Sequence, residues 1–400
     1  MAESRPTILQ IIPRLDTGGA ELSTIEITEA IVRAGGRALV ATEGGRMADR
    51  VPQAGGELIA FPASTKNPVR LLGNVGKLRE LIRAQSVNLV HARSRAPAWS
   101  ALLAAHRARV PFVTTYHGAY GEQGAIKRFY NSVMVRSDRV IANSGFTADL
   151  IRQRYGTSDS KITVIHRGLD LRAFDPAAVS DDRKSALRQA WGVAGDRPII
   201  LQAARLTGWK GQRVMIAAAG KLKREGRLGN AVFVLAGDAQ GRDGYSETLH
   251  RDIAENGLGA CVILPGHVSD MAAAFAVAHV AVVASTEPEA FGRTATESQA
   301  MRCPVIATDI GAPRETVIAR DDLPSGRTGW LVPPGDASAL ADSLAAALAL
   351  GPLERSRMGG NARAHVAARF TVAAMQRATL AVYDDLLATD LARRFSMATD

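Results

Sequence analysis

Short apolar segments alternate along this chain with longer segments whose apolar residues recur at the helical period. The first apolar run, residues 7–15 (TILQIIPRL), ends in a loop with two glycines, and a helical segment follows it. Residues 68–85 show the helical period clearly, with apolar side chains at positions 72, 75, 78 and 82. Strands that alternate with helices favour a parallel sheet covered by helices on both faces.

The alternation forms two successive sets, which predict two open α/β domains. Residues 175–182 (DPAAVSDD) carry proline and aspartate and predict the linker. We expect an N-terminal Rossmann-like domain over 1–180, a second over 181–375, and a helical segment over 376–400 that packs back on the first. The predicted strands are 7–15, 37–41, 57–61, 87–91, 111–116, 138–142 and 161–165, then 198–203, 231–236, 261–264, 279–284, 304–307 and 330–332.

The composition is that of a globular protein, with 46% hydrophobic and 22% charged residues. A length of 400 residues suits two domains better than one. Cys261 and Cys303 have no metal-ligand or CxxC spacing, so we expect reduced core cysteines of a cytoplasmic protein. We expect neither a signal peptide nor a transmembrane helix, because the longest apolar run, 271–284, is too short to span a bilayer.

The net charge of +10 indicates either an anionic partner or a basic face that is merely solvated. Between Lys66 and Arg109 the only acidic residue is Glu80, and a second basic patch surrounds Lys127. An anionic membrane, a nucleic acid and a phosphorylated small molecule all fit such charge. Aromatic residues within these stretches suit an anionic bilayer surface, namely Trp99, Phe129 and Tyr130.

Two glutamates within residues 284–315 predict a polar site. Glu289 lies in a loop before a turn at 290–292, and Glu297 lies in the helix that follows. Backbone N–H groups and the positive dipole at that helix N-terminus favour an anion such as a phosphate. Glu297 is suited to accept hydrogen bonds from ribose hydroxyls, and Glu289 to face a sugar.

Other candidates follow predicted strands, where parallel sheets bind ligands. Arg205 and Lys210 lie in the loop after one strand. Their two positive charges are suited to neutralise a diphosphate. The alternative is an ordinary exposed loop, in which basic residues are common. Residues 266–270 offer backbone groups to a base. In the first domain the strand-end candidates are His117, Asn143, and Gly18 with Gly19. A lone histidine such as His117 is often structural. Glu21 can simply cap or solvate the first turn of its helix.

Taken together, these motifs resemble the retaining glycosyltransferases of the GT-B fold, specifically family 4, over nearly the whole chain. The E-x7-E string is fairly specific because Phe291-Gly292 and Pro304-Val305 accompany it, whereas an isolated glutamate pair is a weak signal. The implied fold is α/β, with two doubly wound Rossmann-like domains facing a central cleft. The motifs are Gly18-Gly19-Ala20-Glu21, His117-Gly118, the R-x4-K pair Arg205 and Lys210, Gly266 to Asp270, and Glu289 to Glu297.

The resemblance implies a hexosyltransferase that uses a nucleotide-sugar, either a UDP-sugar or GDP-mannose, with no bound metal or other cofactor. Arg205 and Lys210 would bind the donor diphosphate and stabilise the leaving group. Glu297 would bind the ribose, and His117 would approach the sugar or the acceptor. The remaining donor contacts would come from Glu289 with the backbone of Ala290, Phe291 and Gly292 at the sugar, from Gly266 and Val268 at the base, and from Gly18 and Gly19 by the phosphates.

The acceptor domain of such enzymes is generally the N-terminal one, whose basic and aromatic stretches suit a membrane. We therefore expect a lipid-linked, lipopolysaccharide-core or polysaccharide acceptor and peripheral association with the cytoplasmic face of the inner membrane. For anomeric retention we favour same-face attack within an ion pair, because no nucleophile is obvious. Two positions depart from the family pattern: Ala204 replaces a usual glycine, and Arg167 replaces a frequent asparagine.

Other functions remain open at this stage. An inverting GT-B transferase and a sugar-nucleotide epimerase share the same motifs. A nucleotide-dependent dehydrogenase is disfavoured, because the GxGxxG pattern and its ribose-binding acid are missing. A nucleic-acid-binding protein has only the charge in its favour, and no recognised nucleic-acid motif supports one.

Overall fold

The computed structural model of the chain describes residues 5–16, 18–121, 124–241, 243–322 and 326–398, with only the backbone at 243. The chain divides into two compact units. Unit 1 comprises residues 1–168 and 372–400, and unit 2 comprises residues 169–371. Each unit contains one parallel sheet, and every predicted strand is present, which confirms the predicted α/β class.

The seven strands of unit 1 form one parallel sheet. Its first strand ends at residue 11, earlier than predicted, because Pro13 has no N–H group for the sheet ladder. The strands are β1 (Thr7–Ile11), β2 (Arg37–Thr42), β3 (Glu57–Ala60), β4 (Leu89–Ala92), β5 (Phe112–Tyr116), β6 (Arg139–Ala142) and β7 (Ile162–Val164). Their spatial order is β3-β2-β1-β4-β5-β6-β7.

Helices connect the strands of unit 1, and capping side chains mark where some of them begin. Oδ1 of Asn67 accepts hydrogen bonds from the backbone N–H groups of Val69 and Arg70, and Pro68 takes the first helical position of α3. The helices are α1 (Gly19–Arg33), α2 (Arg50–Gln53), α3 (Pro68–Ala84), α4 (Arg95–Ala108), α5 (Ala125–Asn131) and α6 (Gly145–Tyr155).

Unit 2 repeats the arrangement with a six-stranded parallel sheet in the order β10-β9-β8-β11-β12-β13. Its strands are β8 (Ile199–Ala203), β9 (Val232–Ala236), β10 (Val262–Ile263), β11 (Val280–Val283), β12 (Val305–Thr308) and β13 (Gly329–Val332). Its helices are α7 (Asp181–Ala190), α8 (Gln212–Arg224), α9 (Asp243–Glu255), α10 (Met271–Val277), α11 (Arg293–Ala300), α12 (Pro313–Thr316), α13 (Ala337–Leu348) and α14 (Pro352–Arg369).

The division between the units falls at 168/169 and 371/372, not at the expected 180/181 and 375/376. The expected linker belongs to unit 2, because Val179 is buried in its core and Arg183 forms an ion pair with Asp270 at 2.8 Å. Its aspartate and proline start a short 3₁₀ turn, Pro176–Ala178, instead of a flexible connection. The remaining helices, α15 (Val372–Leu387) and α16 (Leu391–Met397), pack against α1 within unit 1.

Both faces of each sheet are buried, as a doubly wound fold requires. In β1, Leu9 and Ile11 belong to one core cluster and Ile8 to another. In β8, Ile200 faces one cluster and Leu201 the opposite one. These strands are therefore buried and largely apolar on both faces instead of alternating, which explains the short continuous apolar runs of the sequence.

None of the helices in the described part of the chain is long and apolar enough to cross a bilayer.

Candidate active site

Lys210 and Glu289 form the centre of the polar edge of unit 2. Lys210 ends a 3₁₀ turn after β8, and Glu289 lies in the loop between β11 and α11. The ammonium group forms an ion pair with Oε1 of Glu289, and the two side chains are only 16% and 12% exposed. Because little water screens it, this pair interacts more strongly than an ion pair on the open surface. The fold thus joins two residues that the sequence places on separate loops.

Neighbouring groups fix the position of Glu289. Its Oε1 accepts a hydrogen bond from the Ser285 hydroxyl at 2.6 Å, and its carbonyl oxygen accepts one from the Ala312 N–H at 2.9 Å. Gly311 has φ +77°, and a Cβ there would lie 2.5 Å from that carbonyl oxygen. Glycine at 311 is therefore needed for this close approach.

Close contacts also fix the loop that contains Lys210. Nε2 of Gln202 donates a hydrogen bond to the Lys210 carbonyl at 2.7 Å, and the Lys210 ammonium lies 4.2 Å from the Trp209 ring centre. Gly211 has φ +73°, and a Cβ there would lie 1.8 Å from the carbonyl oxygen of Ala284. The β8 loop therefore packs directly on the end of β11.

Glu297 lies near the middle of α11 and forms an ion pair with Arg293. Arg293 donates from Nε to Oε1 of Glu297 at 3.2 Å, and its Nη2 lies 3.1 Å from the same oxygen. Burial raises the pKa of Glu297, and Arg293 acts in the opposite direction. The sequence analysis missed Arg293, although the (i, i+4) spacing to Glu297 was available as a signal.

The turn at 290–292 is anchored by the side chain of Phe291. That ring is buried and packs edge-on against Phe370 with 5.7 Å between ring centres. Gly292 adopts φ +76° and precedes the first turn of α11, while Ala290 is half-buried. The Phe291 side chain is therefore part of the core, and its backbone alone remains for a ligand.

The other predicted residues of unit 2 lie at the same sheet edge. Arg205 is exposed in the β8 loop and forms no ion pair with the described residues, so the structure does not join it to Lys210. Gly266 accepts a hydrogen bond through its carbonyl from the Gly237 N–H at 2.8 Å. A Cβ at Gly237 would lie 1.8 Å from the Ala204 carbonyl, so these loops are tightly packed. Val268 packs against the core of unit 2.

In unit 1, the fold brings His117 together with the Gly18-Gly19 loop through Arg167. Nη2 of Arg167 lies 3.1 Å from Nδ1 of His117. A Cβ at Gly19 would lie 1.5 Å from Nη1 of Arg167, so the guanidinium fills the space that glycine leaves open. At Gly18, with φ +152°, a Cβ would meet the Glu21 carboxylate at 2.5 Å. Arg167, at the position that departs from the family pattern, thus becomes a further candidate site residue.

The contact with Arg167 determines which ring nitrogen of His117 carries hydrogen. Arginine has only donor groups, so Nδ1 of His117 accepts, and the neutral ring carries its hydrogen on Nε2. Burial, Arg167 and Arg93 together lower the pKa of His117 well below its usual value. Nε2 is buried and has no hydrogen-bond partner among the described residues. His117 is therefore a neutral hydrogen-bond donor.

A buried polar network lies behind His117, and the sequence analysis missed its main residue. Arg93 is 4% exposed, and its Nε and Nη2 donate to Oε1 of Gln10 at 2.9 and 2.6 Å. His91 lies 2.7 Å from the Tyr383 hydroxyl and 2.8 Å from that of Thr115. Arg93 directly follows β4, so the rule that ligands bind at strand ends gave a signal for it.

Asn143 supports the same site from the next strand. Its Nδ2 lies 3.3 Å from the His117 carbonyl oxygen, and its Oδ1 accepts a hydrogen bond from Thr147 at 2.8 Å. Both contacts use the amide of Asn143, which is 2% exposed. Asn143 therefore positions the His117 backbone.

Across the described ranges, no group of three or more His, Cys, Asp or Glu residues is arranged to hold a metal ion. The metal-free chemistry remains an expectation that rests on the resemblance.

Two family models match the chain, one in each half. The model of glycosyltransferase family 4 matches residues 17–173, and that of glycosyl transferases group 1 matches residues 183–365. A D-inositol 3-phosphate glycosyltransferase of Xylanimonas cellulosilytica is 30% identical over 377 residues, which cover 87% of each chain.

Solved structures show the same two-unit fold. A glycosyltransferase from Rickettsia africae aligns with a TM-score of 0.87 and 33% identity, covering 97% of this chain and 100% of the other. Anabaena Alr3699/HepE in complex with UDP-glucose aligns with a TM-score of 0.79 and 26% identity, covering 95% and 100%.

Proposed function

The chain belongs to family 4 of the GT-B glycosyltransferases, and from that premise we propose a retaining hexosyltransferase that uses a UDP-sugar. The pairing of Lys210 with Glu289 carries the proposal, because it places a cation and a sugar-binding carboxylate together at a strand end. The UDP-glucose complex of the Anabaena relative supports uridine over guanosine in the donor. The family and the enzyme class do not depend on this choice of base.

The donor diphosphate is the ligand for Lys210 and Arg205. In the structure described here Lys210 is neutralised by Glu289, whereas Arg205 is exposed. A bound diphosphate gives Lys210 a second anionic partner beside Glu289. As the glycosidic bond breaks, negative charge grows on the leaving phosphate, and a fixed ammonium stabilises it without reorganisation.

Glu289 holds the donor sugar through its free oxygen. The contacts with Lys210 and Ser285 both involve Oε1, so Oε2 is the oxygen that accepts hydrogen bonds from sugar hydroxyls. A carboxylate bound in this way is a poor nucleophile, which supports same-face attack within an ion pair over a covalent intermediate. Glu297 accepts hydrogen bonds from the ribose hydroxyls, and Arg293 opposes the rise in its pKa that burial causes.

His117 contributes a hydrogen bond and no proton transfer. Its Nε2–H donates to the sugar or to the acceptor, and Arg167 holds the ring in that tautomer. A neutral imidazole with a lowered pKa is a weak base, so the acceptor hydroxyl loses its proton to the leaving phosphate in this scheme.

We propose that the acceptor is a glycolipid or saccharide at an anionic membrane surface. Ile126 and Phe129 of α5 are 88% and 59% exposed, and Lys127 and Arg128 lie between them. Phe129 stacks on Trp99 with 5.1 Å between ring centres, which makes a rigid aromatic cluster beside basic residues. Such a surface suits the interfacial region of an anionic bilayer.

Thermal shift with a panel of nucleotide-sugars tests the donor, since a ligand bound to the folded state raises the melting temperature. We expect UDP-glucose or another UDP-sugar to shift the wild-type protein, Lys210→Ala to lose the shift, and Lys221→Ala in α8 to keep it. Anomer analysis of the product by NMR separates retention from inversion, and a free epimer of the donor would indicate an epimerase.

Liposome flotation tests the membrane surface separately. We expect binding to vesicles with anionic lipid to fall in Phe129→Ser and to persist in Leu353→Ser, whose leucine is 83% exposed in unit 2. Equal flotation of both variants would overturn the membrane proposal and leave the donor proposal intact.

A further inference from the structure

A cavity in unit 1 lies at the edge of the sheet where β5 and β6 begin. Its volume is about 680 Å³, within the range of small-ligand sites. Phe112 opens β5, Arg139 opens β6, and Lys161 directly precedes β7. His117 follows the other end of β5, so five residues at about 3.3 Å each put the cavity roughly 16 Å from it along the strand. This cavity is therefore separate from the active-site residues of unit 1.

The lining of the cavity is strongly cationic and poorly neutralised. Arg109, Arg136, Arg139 and Lys161 face it together with the single carboxylate of Asp138. Oδ2 of Asp138 already accepts a hydrogen bond from the Phe112 N–H at 2.8 Å. None of the four cations forms an ion pair with a described residue. A concave site with unpaired like charges concentrates anions.

The hydrogen bonds that these cations do form involve neutral groups. Nε of Arg136 donates to the Ser132 hydroxyl at 3.1 Å, and Nη1 of Arg139 donates to the Asp138 carbonyl at 3.2 Å. Neutral partners leave the charges uncompensated, so an anion in the cavity gains charge-assisted hydrogen bonds. By contrast, Lys210 in unit 2 is paired with Glu289.

Arg109 occupies a position where glycine is the unstrained residue. It ends α4 in left-handed backbone with φ +58°, the conformation that Gly156 adopts with φ +61° at the end of α6. A non-glycine residue is strained in this backbone conformation. At this strained position, the arginine side chain brings a guanidinium group to the cavity.

Part of the cavity lining is apolar, which limits the kind of anion it suits. Leu102, Phe112 and Leu386 line the cavity together with the cations. Arg136 lies 5.5 Å from the Trp99 ring centre and 5.4 Å from that of Phe129, so one of these cations also contacts the aromatic cluster of Trp99 and Phe129. An anion with charged oxygens and an adjoining apolar or neutral portion matches both surfaces.

We propose that this cavity is a second binding site, for a phosphate-bearing ligand. Guanidinium groups bind phosphate oxygens in pairs, and the lysine adds a point charge. The phosphate belongs either to a small soluble molecule or to the head group of a lipid. The proposal is independent of the sugar-transfer reaction, since none of its residues is assigned to the donor or to His117.

Calorimetric titration of the full chain with inorganic pyrophosphate tests the soluble source. UDP at saturation occupies the donor site during the titration, so that only a second site is observed. We expect binding in the presence of UDP and at least about tenfold weaker binding in the double variant Arg109→Asn, Lys161→Gln, because two charge-assisted contacts are lost. Asparagine at 109 tolerates the left-handed backbone.

The control variant is Arg107→Gln, which removes an exposed charge of α4 that does not line the cavity. It should bind pyrophosphate as the wild type does. Unchanged UDP binding and melting temperature in the double variant show that it is folded.

Flotation with phosphatidic acid vesicles tests the lipid source, against phosphatidylglycerol vesicles as the control for general charge. A loss in the double variant that is larger for phosphatidic acid supports a head-group site. If pyrophosphate and phosphatidic acid both bind the double variant as they bind the wild type, or if neither binds the wild type, the proposal is wrong.

Discussion

The polar edges of the two units differ in how their charges are balanced. In unit 2 each of the two candidate glutamates forms an ion pair: Glu289 with Lys210, and Glu297 with Arg293. In unit 1 the ring of His117 contacts Arg167, and burial, Arg167 and Arg93 together lower its pKa. Unit 2 therefore presents ion pairs, and unit 1 presents a neutral donor next to positive charge.

This difference fits the ligand groups proposed for each unit. A charged diphosphate binds by sharing the cation of an ion pair, so its affinity depends on that cation. A neutral imidazole donor has no charge to exchange and serves a sugar or acceptor oxygen. The comparison gives separate expectations for the two units, in rate, in nucleotide affinity and in pH dependence.

Removing the cation of the central pair is expected to have the largest effect. Lys210→Ala should lower kcat by about 10²–10³, the usual cost of losing one group that stabilises developing negative charge. Steady-state release of UDP from a UDP-sugar measures it. Lys221→Ala, which removes a half-buried lysine of α8 in the same unit, is the control. If Lys210→Ala leaves kcat unchanged, the ion pair of Lys210 with Glu289 has no role in the mechanism.

The second pair should govern nucleotide affinity. Glu297→Ala should raise the Kd of UDP by about tenfold to hundredfold, because charge-assisted hydrogen bonds to ribose are worth about 1.5–3 kcal/mol. Calorimetry with UDP measures the change. Glu287→Ala, an exposed glutamate of the same loop region, should bind UDP as the wild type does. Similar Kd values for the two variants would mean that Glu297 does not contact the nucleotide.

Arg167 should act through the tautomer and pKa of His117. In Arg167→Met we expect kcat to fall roughly tenfold, because the hydrogen bond that orients the His117 ring is lost. The pKa of His117 should also rise and move the acidic limb of the pH profile to higher pH, because one positive neighbour is lost while burial and Arg93 remain. Arg167→Lys should restore the charge and reverse this move. A lower rate with an unchanged pH profile would indicate a merely structural arginine.

The smallest effect concerns stability below neutral pH. His91 and His117 both have a lowered pKa in the folded protein, from the reference value of 6.5. The unfolded chain therefore takes up protons that the folded chain refuses, so stability is complete above pH 6.5 and is lost as the pH falls below it. Each histidine contributes up to about 1.4 kcal/mol per pH unit to the free energy of unfolding.

Urea unfolding between pH 7.5 and 5.5 measures this slope. His117→Asn should reduce it, and His250→Gln, which removes an exposed histidine, should leave it unchanged. An equal slope in all three proteins would show that the pKa of His117 is the same in the folded and the unfolded chain.

The sequence predicted the sheets well because parallel strands buried on both faces form continuous apolar runs. It misplaced the boundary between the domains, because aspartate and proline in residues 175–182 start a helical turn as readily as they form a linker. The core position of Val179 is a tertiary contact, which local composition does not encode.

The sequence indicated candidate residues, but it did not indicate the contacts between them. Strand-end positions made His117, Lys210 and Glu289 candidates, and local spacing would have added Arg293. The contact of Arg167 with His117 joins residues that are distant in sequence, and no local pattern reports it. The tautomer of His117 follows from that contact, so it could not be predicted without the fold.

The most direct test of the donor site compares the Kd values of UDP and UDP-glucose in wild type and Glu289→Ala by calorimetry. We expect the wild type to bind UDP-glucose more tightly than UDP, and Glu289→Ala to bind both equally while its Kd for UDP stays at the wild-type value. If Glu289→Ala weakens UDP itself as much as Glu297→Ala does, the assignment of Glu289 to the sugar and Glu297 to the nucleotide is wrong.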